Sequence, residues 1–241
     1  MDILLNLNWV AIGQIILIDI LLGGDNAIMI ALACRNLPHN LRLKGILWGT
    51  VGAIGLRIGL ITFAMTMLQV PYLKAVGGVL LFWIGIKLLA EEDGDHDNIH
   101  ASDRLLTAIK TIIVADFVMS LDNVVGVASA AEQTGGENSM LLVVFGILVS
   151  IPVIIWGSTL VLKLMERFPI IITLGAALLG YLAAGMVISD HALAPWSAGY
   201  VSLIDMAIPG TGLHLSIPGI LSAVVVIVSG MWLAKRREHK G

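Results

Sequence analysis

The sequence predicts an all-α membrane protein with seven transmembrane helices, arranged as two inverted three-helix repeats plus one C-terminal helix. Three observations lead there. The 241 residues are 58% hydrophobic and only 13% charged, with a mean hydropathy of +0.95, whereas soluble domains carry about 25% charged residues. The apolar residues fall into seven runs, near 9–33, 45–68, 72–90, 105–131, 140–162, 170–189 and 217–234, each close to the ~20 residues that cross a bilayer. Finally, IILIDILLGGDN at 15–26 returns as IIVADFVMSLDN at 112–123.

Each run reads as a helix because it is continuous and lacks the alternation of an outer-membrane barrel strand. The first run is not expected to be a cleavable signal: it opens with Met1 and Asp2, lacks a basic leader and stays apolar too long. The net charge of -3 offers no basic field for phosphate backbones, so no nucleic-acid partner is expected. The single cysteine, Cys34, rules out a disulfide framework and a multi-cysteine metal cage.

Orientation follows from the basic residues. Arg35, Arg42 and Lys44 flank the first connection, Lys87, Arg104 and Lys110 the third, Lys163 and Arg167 the fifth, and Lys235, Arg236, Arg237 and Lys240 lie on the tail. All fall on one side of a seven-span arrangement, and the other side has only Lys74. The amino terminus is therefore expected outside and the carboxyl terminus in the cytoplasm. Trp9 and Trp196 then mark the outer interface, Trp48 and Trp232 the inner one.

The repeat divides the chain. Both copies of the motif contain Asp, five residues, then Asp-Asn, at an offset of 97; Gly45-Ile46-Leu47 resembles Gly146-Ile147-Leu148, and Pro71 and Gly77 recur as Pro169 and Gly175. The expected units are a first three-helix repeat at 1–90, an acidic, His-containing cytoplasmic linker at 91–104 and a second repeat at 105–190. An external Pro/Gly-rich lid or surface element follows at 191–216, then the last helix and basic tail at 217–241. Three spans per unit is an odd number, so the second unit enters the membrane from the opposite side. Inverted repeats of this kind are the usual architecture of alternating-access transporters, with the substrate near the midplane.

Asp19 and Asp25 lie in the first span, Asp116 and Asp122 in the fourth. One carboxylate at a helix centre costs about 2.5–3.5 kcal/mol on insertion scales, so four cost on the order of 10 kcal/mol unless a partner, cation, water or proton compensates. Arg57 is the one basic residue clearly at membrane depth, sufficient for one acid but not four. On a helix Asp19, Gly23 and Asn26 share a stripe, as do Asp116, Ser120 and Asn123. Asp25 and Asp122 fall off these stripes unless the helix unwinds, for which Gly23-Gly24 gives the first copy an opening.

Carboxylates, amide oxygens, a hydroxyl and freed carbonyls are hard ligands suited to Mg²⁺, Ca²⁺ or Mn²⁺. Met29 and Met119 stand near the stripes; a thioether ligand would favour Mn²⁺, though methionine there usually packs. Four duplicated acids, with Asn after each second Asp, favour a cation path or proton relay over protonated carboxyls that merely pin helices.

Other features read more plainly. The acids and histidines of 91–103 could gather divalent cations, but their spacing matches no fixed cage, and a solvated linker is the simpler expectation. Asp190, His191, Asp205 and His214 are scattered acids and histidines on the outer side that could attract released metal. An enzymatic role is not expected: Leu22-Gly23-Gly24-Asp25 resembles the Gly-x-Gly-Asp motif of intramembrane aspartyl proteases, yet Leu22 replaces its first glycine and no Pro-Ala-Leu element follows. An accessory membrane protein that docks on a secretion machine and delivers metal to secreted proteins, without transporting it, is the alternative reading.

The paired Asp-x5-Asp-Asn motifs, one opening each three-helix unit, resemble the TerC family of integral membrane proteins, nearest its YjbE-type branch, in which the first acid is Asp. The resemblance runs from Trp9 to about Trp232. It implies divalent-metal handling, chiefly manganese export, in the bacterial inner (plasma) membrane. Carried onto this chain, the metal-site positions are Asp19, Asp25, Asn26, Asp116, Asp122 and Asn123, with Mn²⁺ as transported substrate and no prosthetic group. Manganese itself comes from the resemblance; spacing and composition do not select it.

Overall fold

The computed structural model describes residues 24–67, 70–91, 100–133, 139–197, 205–207 and 214–238. Six long helices come first: α1 Gly24–Cys34, α2 His39–Met67, α3 Leu73–Ala90, α4 Ala101–Gln133, α5 Ser139–Arg167 and α6 Ile170–Ile188. After them come a single turn, α7 Ala194–Ser197, two short strands, β1 Asp205–Ala207 and β2 His214–Ser216, and the last helix α8 Ile217–Glu238. The described parts of the seven apolar runs thus lie on or at the ends of these helices, α1 covering 24–33 of the first.

Among the described residues five helices are long and apolar enough to cross a membrane, over His39–Leu60, Leu73–Ala90, Ile147–Arg167, Ile170–Ile188 and Ile217–Arg236. The chain is a multi-pass membrane protein. Helix α4 carries Asp103, Arg104, Lys110, Asp116, Asp122 and Glu132, which lower its hydropathy although it packs centrally.

The structure adds two details. The 191–216 segment contains regular structure: β1 and β2 pair antiparallel, with Met206 opposite Leu215. The helices also outrun their apolar cores. α2 begins at His39, where Pro38 O accepts the amides of Leu41 and Arg42, and α4 begins at Ala101, inside the expected linker, with His100 O accepting from Asp103 and Arg104. Charged residues that end a transmembrane helix can remain helical because their heads reach the interface.

The helices pack through small residues, the usual device where lipid removes the hydrophobic drive between helices. At α3–α6, a Cβ on Gly78 would stand 2.6 Å from Ala183 O; at α2–α4, Cβ atoms on Gly49 and Gly52 would stand 2.5 and 2.6 Å from the Cδ1 atoms of Ile112 and Ile113. Gly175 brings α6 onto Ile28 and Leu32 of α1, and Gly180 brings it onto Val226 of α8. Met29, Leu32, Leu81, Ile112, Val118 and Leu179 are buried in the shared core.

Connections at the two ends fix the helix directions. At one end Arg35 Nη2 donates to Glu91 O, Arg42 pairs with Glu166, and Leu89 of α3 packs on Gly230 of α8. At the other end Asp190, just after α6, accepts amides at the start of α3, and Ser216 N donates to Tyr181 Oη.

Candidate functional site

The buried face of α2 is Thr50, Ala53, Ile54, Arg57 and Leu60, the spacing of a single helical stripe. Small neighbours at Gly49 and Gly52 let α4 approach along this stripe. The facing stripe of α4 includes Ala108, Ile112, Ala115, Asp116, Met119 and Ser120. Polar positions on two largely apolar stripes, Arg57 on one and Asp116 and Ser120 on the other, therefore meet inside the bundle.

Arg57 Nη2 lies 2.7 Å from Asp116 Oδ1. Arg57 Nε donates to Ser120 Oγ at 3.0 Å, and Ser120 Oγ in turn donates to Asp116 Oδ2 at 3.2 Å. Arg57 and Asp116 are each 5% exposed and Ser120 is 1% exposed. The expected i, i+4 alignment of Asp116 and Ser120 is realised, and Arg57 pairs with a site carboxylate. A guanidinium bridging a carboxylate and a hydroxyl forms a charge-assisted network in which each member is oriented by the other two.

The described Asp and Asn of the first motif are Asp25 and Asn26, at the start of α1. Asp25 is half-buried and lies within electrostatic range of both Arg57 and Asp116. Its Oδ1 accepts the Asn26 amide at 2.9 Å. Asn26 is 1% exposed, and neither its Oδ1 nor its Nδ2 has a hydrogen-bond partner among the described residues. A buried carboxamide without partners costs roughly 1–3 kcal/mol, so its oxygen is a ready ligand.

Asp19 lies outside the described residues. Asp122 and Asn123 lie on α4, but their side chains are outside the described set. Of the six expected positions, then, Asp25, Asn26 and Asp116 have described side chains. Among the described residues no three His, Cys, Asp or Glu side chains form a preformed metal cage. Met29 and Met119 are buried in the apolar core.

Two residues escaped the sequence reading. Thr50 is 1% exposed and its hydroxyl has no partner among the described residues; it stands seven residues, about 10 Å, before Arg57 on the same stripe. That spacing was the available signal. Asp190, grouped with the scattered outer acids, is instead a helix cap: its carboxylate accepts amides from Tyr72 at 3.1 Å, Ala75 at 3.0 Å and Ala192 at 2.8 Å. Tyr72 takes a left-handed conformation, φ 64°, to present α3 to it. Burial alone would raise the Asp190 pKa, but amides from Ala75, Ala192, Tyr72 and Lys74 outweigh it and hold it below the ordinary value. Its nearby companion His191 is exposed; Asp205 and His214 sit at opposite ends of the strand pair. In the acidic linker, Asp93, Asp95, His96 and Asp97 lie outside the described residues.

A cavity of about 200 Å³ opens at the basic end of the bundle, lined by Asn36, Lys87, Glu91, Arg104, Thr107 and Thr111 among others. Ala33 also lines it, eight residues or about 12 Å along α1 from Asp25.

Comparison with known proteins agrees with this architecture. The chain is 45% identical to the uncharacterized membrane protein YjbE of Bacillus subtilis over 75% of its own length and 80% of that protein's. It is 22% identical to YceF of the same organism over 82% and 78%. With the inner membrane protein YgdQ of Escherichia coli K12 it shares 23% identity over 67% and 73%. No solved structure matches at a significant level. The profile of the integral membrane protein TerC family matches residues 5–238, and the chain belongs to that family.

Proposed function

We propose that this protein exports divalent metal ions, foremost Mn²⁺, from the cytoplasm across the bacterial inner membrane by alternating access. The observation that carries the reading is the meeting of the two Asp-x5-Asp-Asn motifs. Asp25 of α1 lies within electrostatic range of the Arg57–Asp116 pair, and the neighbouring Asn26 carboxamide is buried without a partner among the described residues. Carboxylate and carboxamide oxygens suit a hard divalent ion, and intramembrane acids on facing helices mark ion paths more often than scaffolding.

The inverted-repeat architecture is part of the proposal. Exchanging α1, α2 and α3 with α4, α5 and α6 turns the α2–α4 contact into α5–α1 and leaves α3–α6 unchanged, and all three contacts are among the more extensive in the bundle. This supports two related halves that rock about a shared site. The basic ends gathered at one face support a cytoplasmic carboxyl terminus, with the cavity beside Glu91 as the inner access. Asp19, Asp122 and Asn123 are proposed to complete the oxygen shell. Protons are the proposed return ions, because a dehydrated carboxylate without metal or guanidinium takes one up.

The test is cellular metal content by elemental mass spectrometry in a strain lacking its own manganese exporter, grown under manganese load. Wild type should lower Mn without lowering Mg, Ca or Zn; Asp25→Asn and Asp122→Asn, expressed equally, should not. If all three strains hold the same metals, export is wrong, and delivery of metal to secreted proteins without transport becomes the better account.

A further inference from the structure

We propose that Arg57 is a tethered internal cation: it occupies Asp116 while the site holds no metal, and an incoming divalent ion must displace it. This rests on the metal-transport reading above and specifies how the resting site keeps its charge balanced. Among the described residues the guanidinium is held by Asp116 Oδ1 and by Ser120 Oγ. Ser120 also holds the other carboxylate oxygen, so both Asp116 oxygens are engaged. Asn26, by contrast, keeps its buried oxygen without a partner among the described residues. The two motifs therefore present unequal groups to an ion: Asp116 is engaged by an internal cation, whereas the Asn26 carboxamide has no partner among the described residues.

The repeat register makes the inequality specific. Aligning Gly45-Ile46-Leu47 with Gly146-Ile147-Leu148 places Ser158 at the position of Arg57. Ser158 is fully buried and its hydroxyl donates to Ile154 O within its own helix. One half thus carries a permanent positive charge where the other carries a satisfied hydroxyl. A divalent ion that reaches Asp25 and Asn26 gains Asp116 only by moving the guanidinium away. Arg57 is a positioning residue: it sets apparent affinity by competing for a ligand, as any state that must be vacated before binding does. It also keeps Asp116 compensated after the metal leaves.

Equilibrium binding of ⁵⁴Mn²⁺ to the purified full-length protein in detergent, paired with Mn²⁺ flux in proteoliposomes, tests this. Arg57→Gln should bind Mn²⁺ on the order of tenfold more tightly than wild type while its flux falls, because no guanidinium returns to Asp116 to help release the metal. Ser120→Ala removes one tether without touching an acid and provides the second variant where Arg57→Gln does not fold. It should tighten binding about threefold, whereas loss of a metal-ligating hydroxyl would weaken it. Unchanged or weaker binding in a folded Arg57→Gln or in Ser120→Ala, with wild type binding normally, overturns the displacement mechanism alone. A wild-type protein that binds no divalent ion overturns the transport reading and this inference with it.

Discussion

Two helix pairs run through the centre of the molecule and are built in opposite ways. α3 and α6 meet through backbone: Gly78 lies against Ala183 O, Gly85 approaches Ala176 O, and Leu81 and Leu179 close the seam. α2 and α4 are drawn together by glycines as well, yet they enclose Arg57, Asp116 and Ser120. The first pair follows the rule for stable association in a membrane, small residues and no charge. The second breaks it at a substantial cost in desolvation. A fold that makes one seam apolar could have made both so; the charged seam is where function is expected to reside.

The largest effects should come from breaking the charged seam on one side only. Arg57→Ala or Asp116→Ala each removes one partner of a buried ion pair and should cost about 3–5 kcal/mol. The Arg57→Ala/Asp116→Ala double variant should cost less than either single one. Thermal unfolding in detergent across the four proteins measures this; additive losses would mean that the pair is not coupled.

Breaking the apolar seam should be milder and silent for metal. Gly78→Ala puts a methyl 2.6 Å from Ala183 O, an overpacking that costs about 1–3 kcal/mol. The affinity of the folded fraction for Mn²⁺ should not move; a tenfold change there would erase the distinction between scaffold and site.

Asp190 sharpens the comparison because it caps α3, half of the apolar seam, from outside the membrane. Asp190→Ala should cost about 2 kcal/mol, in the range for a lost charge-assisted cap. Its folded pKa is depressed, so its contribution is complete above the ordinary carboxylate range near ~4 and is lost as pH falls through the folded value. Wild type should therefore lose part of its stability in acid that Asp190→Asn, already without the charge, does not lose. Parallel acid limbs for the two proteins would remove Asp190 from the account.

The smallest effect is expected at Met29, buried beside the site but within the apolar core. Met29→Leu conserves volume and should cost less than about 1.5 kcal/mol, with the preference for Mn²⁺ over Mg²⁺ unchanged. A lost preference would make its thioether a ligand.

Much of this could be read from residue order because membranes constrain sequence strongly. The described part of each apolar run became helix, and the i, i+4 spacing of Asp116 and Ser120 was enough to align them. Arg57 stood out as a charge with no reason to be at that depth except a partner. What could not be read depended on distant partners or local detail. Asp190 caps α3 from 118 residues away, a relation without sequence spacing. The β1–β2 pair is three residues a side, too short for a periodic signal amid prolines and glycines. Thr50 was legible only once the orientation of Arg57 was known. Helix ends outran their apolar cores because hydropathy falls where charged residues snorkel, although the helix continues.

The central claim is that the acids brought together at Arg57 carry a divalent ion across the membrane. Its most direct test is Mn²⁺ uptake into proteoliposomes in which the cytoplasmic face of the purified protein is turned outward, followed with an internal metal-sensitive dye. The account predicts saturable uptake by wild type that is lost in Asp25→Asn reconstituted to the same density. Uptake equal in the two preparations would contradict it, as would wild-type vesicles no more permeable to Mn²⁺ than lipid alone.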